Sequence, residues 1–356
     1  MSLVKKEQFI WNFVEQGVLP ACYAAIHLNQ NTTSHIANSN IAVTPVNDQV
    51  IYVSLFPDFL NPLLNDIEDY SLKRIPHVNF SGVGIAIDET TTIDSYLKQA
   101  ISSSTRGNLN KRKNRLESCF PIEYKMYYGA ISLNEYTYLI DWLITKQKAR
   151  IKSKRIKNAI LDKYDNYKKI AFSLINSKEA SLFVIYNNAN PIAVSLNFHR
   201  QKLFFGTLAA YNMDYSKFGI GHILVYKQLE WCITHKYTFF DMGNGDLEYK
   251  KSWGNTFYNF QYHIIYRNKS ILSFLISRIK IGVINFKNYI KKNKLDIAYT
   301  QIKNRIKKKK EIDYIPPSYF ITELIENKLL AEMQLKPITT NSDVFKEIQK
   351  PICDFL

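Results

Sequence analysis

The first third of the chain alternates short apolar runs with polar breaks, a pattern that predicts a mixed α/β unit. Residues 5–16 carry apolar side chains at helical spacing, which predicts an amphipathic helix. Residues 50–56 and 83–87 are rich in β-branched and aromatic side chains and predict two strands. Residues 92–117 again follow the helical period, with a break expected near Gly107.

The pattern beyond residue 120 predicts a strand at 122–128, a helix at 133–150 and a charged connector at its end. A meander of strands follows, and its first turn, at 187–190, is rich in asparagine. The remaining predicted elements are strands at 180–186, 191–198 and 202–210, a helix at 220–235, and strands at 237–241 and 257–266.

The last predicted helix covers residues 271–291 and has a wide apolar arc. Its polar residues fall close to one stripe, and four lysines follow at 307–310. Such a helix can dock on the protein and keep its lysines in water, which we favour, or it can lie on an anionic membrane surface. The polar stripe consists of Ser273, Ser277, Lys280, Lys287 and Lys291.

Composition adds the location of the charge. The chain has 356 residues, 46% of them apolar, and a formal net charge of +16, which indicates a folded protein large enough for two core-bearing units. Residues 269–310 contain thirteen Lys or Arg residues and one acid, Asp296, so most of the excess lies there. Such a surface attracts anionic lipid, phosphorylated ligands or nucleic acid. No nucleic-acid motif accompanies the charge, so nucleic acid is the weakest of these three.

Cysteine spacing and apolar windows exclude several other classes. Four cysteines stand far apart without a C-x-x-C pair, so we expect neither a metal site nor a disulfide framework. The amino terminus lacks a signal-peptide pattern, and no window of eighteen apolar residues predicts a membrane span. The expected location is the cytoplasm, with peripheral contact at the inner face of the membrane as an addition.

The segment 239–254 holds the strongest candidate chemistry. Its aromatic run ends in Asp241, which predicts a carboxylate at the terminus of a buried strand. Gly243 and Gly245 then allow a tight turn. Acid, phenol and amine groups follow within ten residues and form a plausible active-site group. These candidates are Glu248, Tyr249 and Lys250.

Structural readings of the same residues stay open. Asp241 can instead cap the following turn through its own backbone. Lys250 and Lys251 can form a solvated pair, and Tyr249 can be a packing residue.

Residues 217–221 form a second candidate, a glycine-containing helix start after a strand. The start of a helix exposes unpaired N–H groups and the positive end of the helix dipole, which favours a bound pyrophosphate. A plain glycine-assisted helix start is the alternative for a lone Gly-x-Gly. The candidates are Lys217, Phe218, Gly219, Ile220 and Gly221.

The order of elements resembles the core of the GNAT acyltransferases. More narrowly, it resembles the branch that contains the Fem-type aminoacyl transferases and the cellulose-biosynthesis-type acetyltransferases. Tyr96-Leu97 with Arg106 and residues 112–116 is similar to the family's Y-L…R…R-x-x-R-x-L helix, and residues 190–193 are similar to its dG-x-P-v-A hairpin. Two further matches are 211–224 with Y-d-x-x-y-x-x-x-s-P-G-x-x-L and, most strongly, 240–254 with f-D-f-G-r-G-d-e-x-Y-K-x-x-f-G.

The resemblance implies a donor site. In GNAT proteins the turn equivalent to residues 217–221 holds the pyrophosphate of an acyl-CoA. Ser216-Lys217 and Phe218 depart from the family's usual residues before the first glycine. Fem-type relatives use the same fold with an aminoacyl-tRNA donor, so both donors stay open.

The resemblance also implies roles for the other candidates. Lys250 would stabilise the oxyanion and Tyr249 would protonate the leaving thiolate. Asp241 would deprotonate or anchor the acceptor, with Glu248 as a weaker candidate base. The candidates for substrate binding are Arg106, Arg112 and Arg115 on a basic helix, and Asn244. A solvated helix face is the alternative for the arginines.

We therefore predict an α/β (α+β), two-lobed GNAT-like fold with a mixed central sheet flanked by helices. Residues 1–130 would form a degenerate N-terminal lobe, residues 131–268 the acyltransferase lobe, and residues 269–356 a basic helical extension. The predicted function is N- or O-acyl transfer from acyl-CoA to a small-molecule, glycan-linked or lipid-linked acceptor such as a cell-envelope or exopolysaccharide precursor. Two alternatives are a Fem-type transferase that uses aminoacyl-tRNA on a peptidoglycan precursor, and a non-catalytic GNAT-fold adaptor at the membrane surface.

Overall fold

The computed structural model describes residues 3–28, 31–37, 49–65, 69–153, 161–245 and 248–293. The strands in these ranges are β1 (Val4–Gln8), β2 (Tyr23–Leu28), β3 (Asn31–Ala37), β4 (Val50–Pro57), β5 (Leu60–Leu64), β6 (Tyr70–Ala86), β7 (Ile122–Tyr127), β8 (Ala180–Asn187), β9 (Asn190–Arg200), β10 (Leu203–Tyr211), β11 (Phe239–Asn244) and β12 (Thr256–Arg267). The helices are α1 (Ile93–Ala100), α2 (Ser103–Cys119), α3 (Leu133–Ser153), α4 (Leu161–Asn176), α5 (Ile220–Thr234), α6 (Glu248–Lys251) and α7 (Ile271–Lys292). A π-helical turn spans Ile10–Glu15 and a 3-10 helix spans Met213–Phe218.

A large mixed sheet organises the chain. Its nine strands run in the order β1-β4-β12-β6-β11-β10-β9-β8-β7. β1 pairs with β4 in parallel, β10 pairs with β11 in parallel, and the other neighbours are antiparallel. A second sheet joins β3, β2 and β5. The mixed α/β class with a central sheet and flanking helices is therefore confirmed.

The β8–β9 hairpin shows how local sequence sets the register. Both strands are almost continuously buried, as expected of strands that are covered on both faces. Asn187 pairs with Asn190 across the turn, and Asn188 adopts a φ of 54°, a conformation that asparagine tolerates. The predicted meander is confirmed with shifts of a few residues at its ends.

The predicted helix at residues 5–16 is wrong in its first half. Val4–Gln8 forms β1, whose five residues pair with β4. Only Ile10–Glu15 is helical, as a π-helical turn. Phe9 and Phe13, whose spacing suggested a helix, are buried with ring centroids 5.2 Å apart. A pairing partner far away in the chain overrides the local period here.

The predicted helix break near Gly107 lies instead at Ile101 and Ser102. Ile101 has extended backbone angles and ends α1. The Ser102 side chain accepts a hydrogen bond from the Thr105 N–H and so caps α2. Gly107 lies within α2, and a Cβ at this position would meet nothing within 4 Å.

The polar stripe of α7 faces the protein. Ser273, Ser277 and Lys280 are buried, and the Ser273 hydroxyl accepts the Arg267 N–H at 3.0 Å. Lys280 Nζ lies 4.1 Å from the centroid of the Tyr52 ring. Docking of α7 on the protein is thus confirmed, but the expectation that its lysines stay in water is wrong for Lys280, because the sheet offers that ammonium an aromatic face.

Three apolar clusters surround the sheet. The first contains side chains of α3 and α4, the second those of α1, α2 and α5, and the third those of α7. Strands from before and after residue 130 share one sheet, and the boundaries at 130 and 268 stay predictions. The rest of the predicted extension, 294–356, and residues 154–160, which include the end of the predicted connector, lie outside the described residues. No helix within the described ranges is long and apolar enough to cross a membrane.

Candidate active site

The sheet opens where β10 and β11 separate. The two strands pair from Leu203–Phe239 to Phe205–Asp241. Beyond this point β10 continues to Tyr211 and β11 to Asn244, but they no longer pair with each other. In open α/β sheets, ligands bind outside the carboxyl ends of parallel strands where the connections diverge. Asp241 lies where this pairing ends, and the chain leads from β10 to the start of α5.

The start of α5 lies after the carboxyl end of β10. Gly219 precedes the helix with φ 64° and ψ 37°, and no side chain caps the first turn. The first amides of a helix have no partner within the helix, and together with the dipole they attract an anion. Arg112 of α2 lies against this turn, with Nη1 3.0 Å from the point that a Cβ on Gly219 would occupy. Backbone amides and a guanidinium therefore form one positive corner.

A cavity of about 510 Å³ opens at this corner. Such a volume is typical of small-molecule sites. α2, the start of α5 and the segment around α6 supply its walls. Sequence-predicted candidates among the lining residues are Arg112, Phe218, Gly219, Glu248 and Tyr249, and further lining residues are Thr105, Asn108, Leu109, His222 and Ser252.

Asp241 lies inside β11, so its predicted position at the strand terminus is wrong. The strand continues through Gly243. This residue has a φ of 74°, which it can adopt because it has no side chain. Tyr258 Oη donates to Asp241 Oδ1 at 2.6 Å, and the Gly243 N–H donates to the same oxygen at 2.9 Å. No donor among the described residues bonds Oδ2. Burial raises the pKa of Asp241 to about 6, against the opposing effects of these two hydrogen bonds and of Lys250. The carboxyl group can therefore exchange a proton near neutral pH.

Lys250 is buried on α6, unlike its neighbours Glu248 and Tyr249. Its Nζ donates to the Asn244 carbonyl at 2.7 Å and to the Gly243 carbonyl at 3.4 Å. Burial lowers the pKa of Lys250, and the Asp241 carboxylate opposes this shift. Gly243 thus links the two groups, since its N–H bonds Asp241 and its carbonyl accepts from Lys250.

His222 and Trp253 form a pair at the wall of the cavity. Trp253 Nε1 donates to His222 Nδ1 at 2.9 Å. Trp253 is fully buried, and its carbonyl accepts the Tyr96 hydroxyl. Burial, followed by the charge of Arg112, lowers the pKa of His222. The imidazole is therefore neutral around pH 7.

Residues 103–251 match the family model described as "Acetyltransferase (GNAT) domain". This stretch of the chain resembles GNAT-type acetyltransferase domains. The matched stretch contains α2, the β8–β10 meander, the start of α5 and the Asp241–Lys250 group, so cavity and family match coincide. The match does not separate the cellulose-biosynthesis-type branch from the Fem-type branch. No protein with a curated description matches the chain.

Three solved structures are similar to this chain at low identity and with low TM-scores. FemX is 11% identical with a TM-score of 0.42, over 64% of this chain and 74% of that chain. L-PGS from Bacillus licheniformis is 14% identical with a TM-score of 0.36, over 65% and 72%. A conserved protein of unknown function from Bacteroides thetaiotaomicron VPI-5482 is 8% identical with a TM-score of 0.41, over 61% and 69%. TM-scores below 0.5 are too low to assign a shared function.

Several of the predicted site residues do not line the cavity. Arg106 Nη1 donates to the carbonyls of Leu97, Lys98 and Ile101, which satisfies the end of α1. Arg115 is exposed on α2 and does not line the cavity. The substrate-binding roles of both arginines stay predictions.

The other members of the predicted donor turn differ in exposure. Lys217 is exposed, with Nζ 5.4 Å from the centroid of the Phe218 ring. Ile220 is buried in the core, so only its backbone can face a ligand. Gly221 lies in the first turn of α5, and Asn244 is exposed and meets Lys250 through its carbonyl.

Sequence reasoning missed Tyr258 and His222. Tyr258 lies on β12, a strand that pairs with β6 rather than with β11, so nothing in the sequence spacing connects it to Asp241. His222 directly follows the Gly-x-Gly turn, and this adjacency was the available signal. Within the described residues, no three His, Cys, Asp or Glu side chains come together as metal ligands.

Proposed function

We propose that this protein transfers an acyl group from an acyl-CoA to an amine or hydroxyl of an acceptor. The main support is one cavity in which Arg112, the uncapped start of α5 and Tyr249 meet. Asp241 and Lys250 do not line this cavity, but they are linked to each other through Gly243, and Lys250 directly follows Tyr249 in the chain. The GNAT domain match over residues 103–251 supports the same class of reaction.

The donor's phosphates would lie at the first turn of α5, where the helix amides and Arg112 provide hydrogen bonds and positive charge. The acyl group would then extend toward the opening between β10 and β11, where Asp241 lies. This placement brings the thioester to the buried end of the site, where charges interact more strongly than in water.

In the transfer step, the acceptor's nitrogen or oxygen attacks the thioester carbon, and the C–S bond breaks when the tetrahedral intermediate collapses. Asp241 would accept the acceptor's proton at Oδ2, the oxygen that no described donor bonds. Lys250 directs two N–H groups to carbonyls and would use its third for the oxyanion. Tyr249 would donate its hydroxyl proton to the leaving thiolate and regain a proton from solvent.

An aminoacyl-tRNA donor acting on a peptidoglycan precursor is the second candidate. The corner formed by Arg112 and the α5 amides fits a phosphodiester as well as a pyrophosphate. Lys250 also occupies the position expected from the Fem-type segment and is buried near Asp241. A carboxylic ester would replace the thioester, and the same residues would act on it.

The outward face of α7 supports a site of action near a membrane, with a lipid-linked or envelope-precursor acceptor. Ile271, Phe274 and Tyr289 expose 72%, 46% and 60% of their surface. Arg278 and Lys292 are exposed on the same helix. Apolar and cationic side chains on one face complement an anionic lipid surface. We propose that α7 makes peripheral contact with the inner face of the membrane.

Isothermal titration of the full chain with acetyl-CoA and octanoyl-CoA tests the donor. Saturable binding of either, with thiol release in the presence of an amine acceptor, is the expected result. Absence of binding to both would exclude the CoA version. Binding of charged tRNA that falls steeply with salt would then favour the second candidate.

A further inference from the structure

The tautomer of His222 is fixed by its neighbour. Trp253 Nε1–H can only donate a hydrogen bond, so His222 Nδ1 must accept it and carries no proton. In a neutral imidazole the proton then lies on Nε2. Nε2 points away from Trp253 on a residue that lines the cavity, and no described residue bonds it.

Trp253 cannot easily turn away from His222. Its indole is fully buried, its backbone N–H donates to the Lys250 carbonyl at 3.1 Å, and its backbone carbonyl accepts the Tyr96 hydroxyl. Protonation of His222 Nδ1 would place its N–H against the Trp253 Nε1–H. The buried indole N–H would then have no acceptor, which destabilises the protonated form.

The charge of Arg112 also favours the neutral form of His222. Arg112 lies near the ring and, after burial, contributes to lowering the pKa of His222. Tyr249 stands edge-on, with ring centroids 6.2 Å apart and planes at 79°. Glu248 also lines the cavity, but 92% of its side chain is exposed, so solvent screens its charge. The site therefore presents a neutral N–H donor beside a guanidinium.

We propose that His222 binds the donor substrate through Nε2–H, which donates to a phosphate oxygen, and that Trp253 is the positioning residue that sets this tautomer. The inference rests on the proposed function, because it assumes a phosphate-bearing donor in this cavity. Arg112 from α2, together with the amides and His222 of α5, would then surround the phosphate, and Arg112 would carry the full positive charge among these groups.

Two substitutions separate the two ring nitrogens. His222→Asn keeps an oxygen near the Nδ1 position, so it still accepts from Trp253 but lacks the donor at Nε2. His222→Gln places an amide N–H near the Nε2 position but loses the acceptor for Trp253. We expect His222→Asn to weaken acetyl-CoA binding about tenfold or more with little change in Tm, and His222→Gln to bind within about threefold of the wild type but melt at a lower temperature.

Nuclear magnetic resonance of ¹⁵N-histidine-labelled protein supplies a readout that needs no acyl-CoA. We expect His222 to show the Nε2–H tautomer from pH 6 to 8, and its Nε2–H signal to shift on titration with inorganic pyrophosphate. In Trp253→Phe, the pKa of His222 should rise, because Nδ1 is released from its donor. A His222 signal that titrates in the wild type like an exposed histidine, or equal losses of binding in the Asn and Gln variants, would overturn the proposal.

The two proposals fail in different ways. If pyrophosphate shifts the His222 signal but neither acyl-CoA binds, the acyl-CoA donor is wrong and the role of His222 stands. If acetyl-CoA binds and the Nε2–H signal does not move, the proposed function stands and the role of His222 is wrong. A wild-type protein that binds neither compound overturns both.

Discussion

Arg112 Nη1 lies 3.0 Å from the position that a Cβ on Gly219 would occupy. This contact joins α2 to the start of α5 and gives position 219 two reasons to be glycine. The φ of 64° disfavours most residues with a side chain, and the Arg112 guanidinium occupies the space where that side chain would begin. The positive corner formed by the α5 amides and Arg112 thus depends on a glycine at position 219.

Gly219→Ala should destabilise the protein by about 1–2 kcal/mol and weaken acetyl-CoA binding, because the new methyl group strains the backbone and displaces Arg112. Gly107→Ala is the matched control. Gly107 lies within α2 and has open space around its Cβ position, so alanine should stabilise the protein by up to about 1 kcal/mol. Urea unfolding and calorimetric titration measure both effects. Equal tolerance at the two positions would contradict the assigned contact.

Arg112→Ala should weaken binding of acetyl-CoA by about tenfold or more, since a charge-assisted hydrogen bond to phosphate is lost. Lys113→Ala on the same helix is the control. Lys113 Nζ is engaged with the Glu117 carboxylate at 3.0 Å and does not line the cavity, so its loss should change the affinity less than threefold. Similar losses for both variants would indicate a diffuse charge effect rather than a site.

Sequence reasoning located the elements whose signals are local. The β8–β9 hairpin and α5 were predicted because apolar runs, asparagine turns and a glycine helix start are all encoded within a few residues. β1 and most of β6 were not, because their pairing partners decide their conformation. β6 runs from Tyr70 to Ala86 and pairs with β12 along most of its length. It contains Pro76 and Asn79, residue types that are uncommon in strands, and Asn79 has a positive φ, so the local sequence does not predict this strand.

Asp241 should make the stability of the protein depend on pH. Its pKa is raised from 3.8 to about 6 in the folded state, so the folded chain holds this proton longer than the unfolded chain does. The corresponding stabilisation is fully present below about pH 4 and is lost as the pH rises to about 6, a change of about 3 kcal/mol. Asp241→Asn should lack this loss and gain stability relative to the wild type across this interval.

Unfolding curves of the two proteins at pH 4, 5, 6 and 7 test this expectation. The difference in unfolding free energy should grow in favour of the variant with rising pH, while thiol release from acetyl-CoA falls in the variant at every pH. A pH-independent difference would mean that Asp241 has an ordinary pKa.

Lys250→Met should lower acyl transfer about 10²- to 10³-fold, because the oxyanion loses a fixed cation in a buried site. The neighbouring Lys251 is the control, since it is exposed and lies 3.7 Å from the Glu248 carboxylate. Lys251→Met should retain activity within about twofold. Thiol release from acetyl-CoA with an amine acceptor reports both. An unchanged rate in a folded Lys250→Met protein would instead favour the non-catalytic adaptor.

The outward face of α7 should bind anionic lipid. A Phe274→Ser/Tyr289→Ser variant should sediment less with vesicles that contain phosphatidylglycerol, because the exposed apolar contacts are removed. Phe257→Ser is the control, since Phe257 is 62% exposed but lies on β12. Neutral phosphatidylcholine vesicles should bind all three proteins weakly. Wild-type protein that fails to sediment with either lipid would contradict the proposed membrane contact of α7.

The candidate site could be predicted only in part, for physical reasons that differ between residues. Gly219 and Lys250 can be recognised in the sequence, because Gly219 precedes a predicted helix and Lys250 lies in a local motif. Arg112 could not be distinguished from Arg115 by sequence, because both lie on one basic helix and only packing against α5 selects one of them. Tyr258 reaches Asp241 through the sheet, so its role depends on strand order.

The proposed donor site is the cavity between α2, the start of α5 and α6. A crystal structure of the protein soaked with CoA would locate the donor. We expect the pyrophosphate within hydrogen-bonding distance of Arg112 and the first amides of α5, with the thiol directed toward Asp241. CoA bound on another face, or this cavity empty in crystals at saturating CoA, would contradict it.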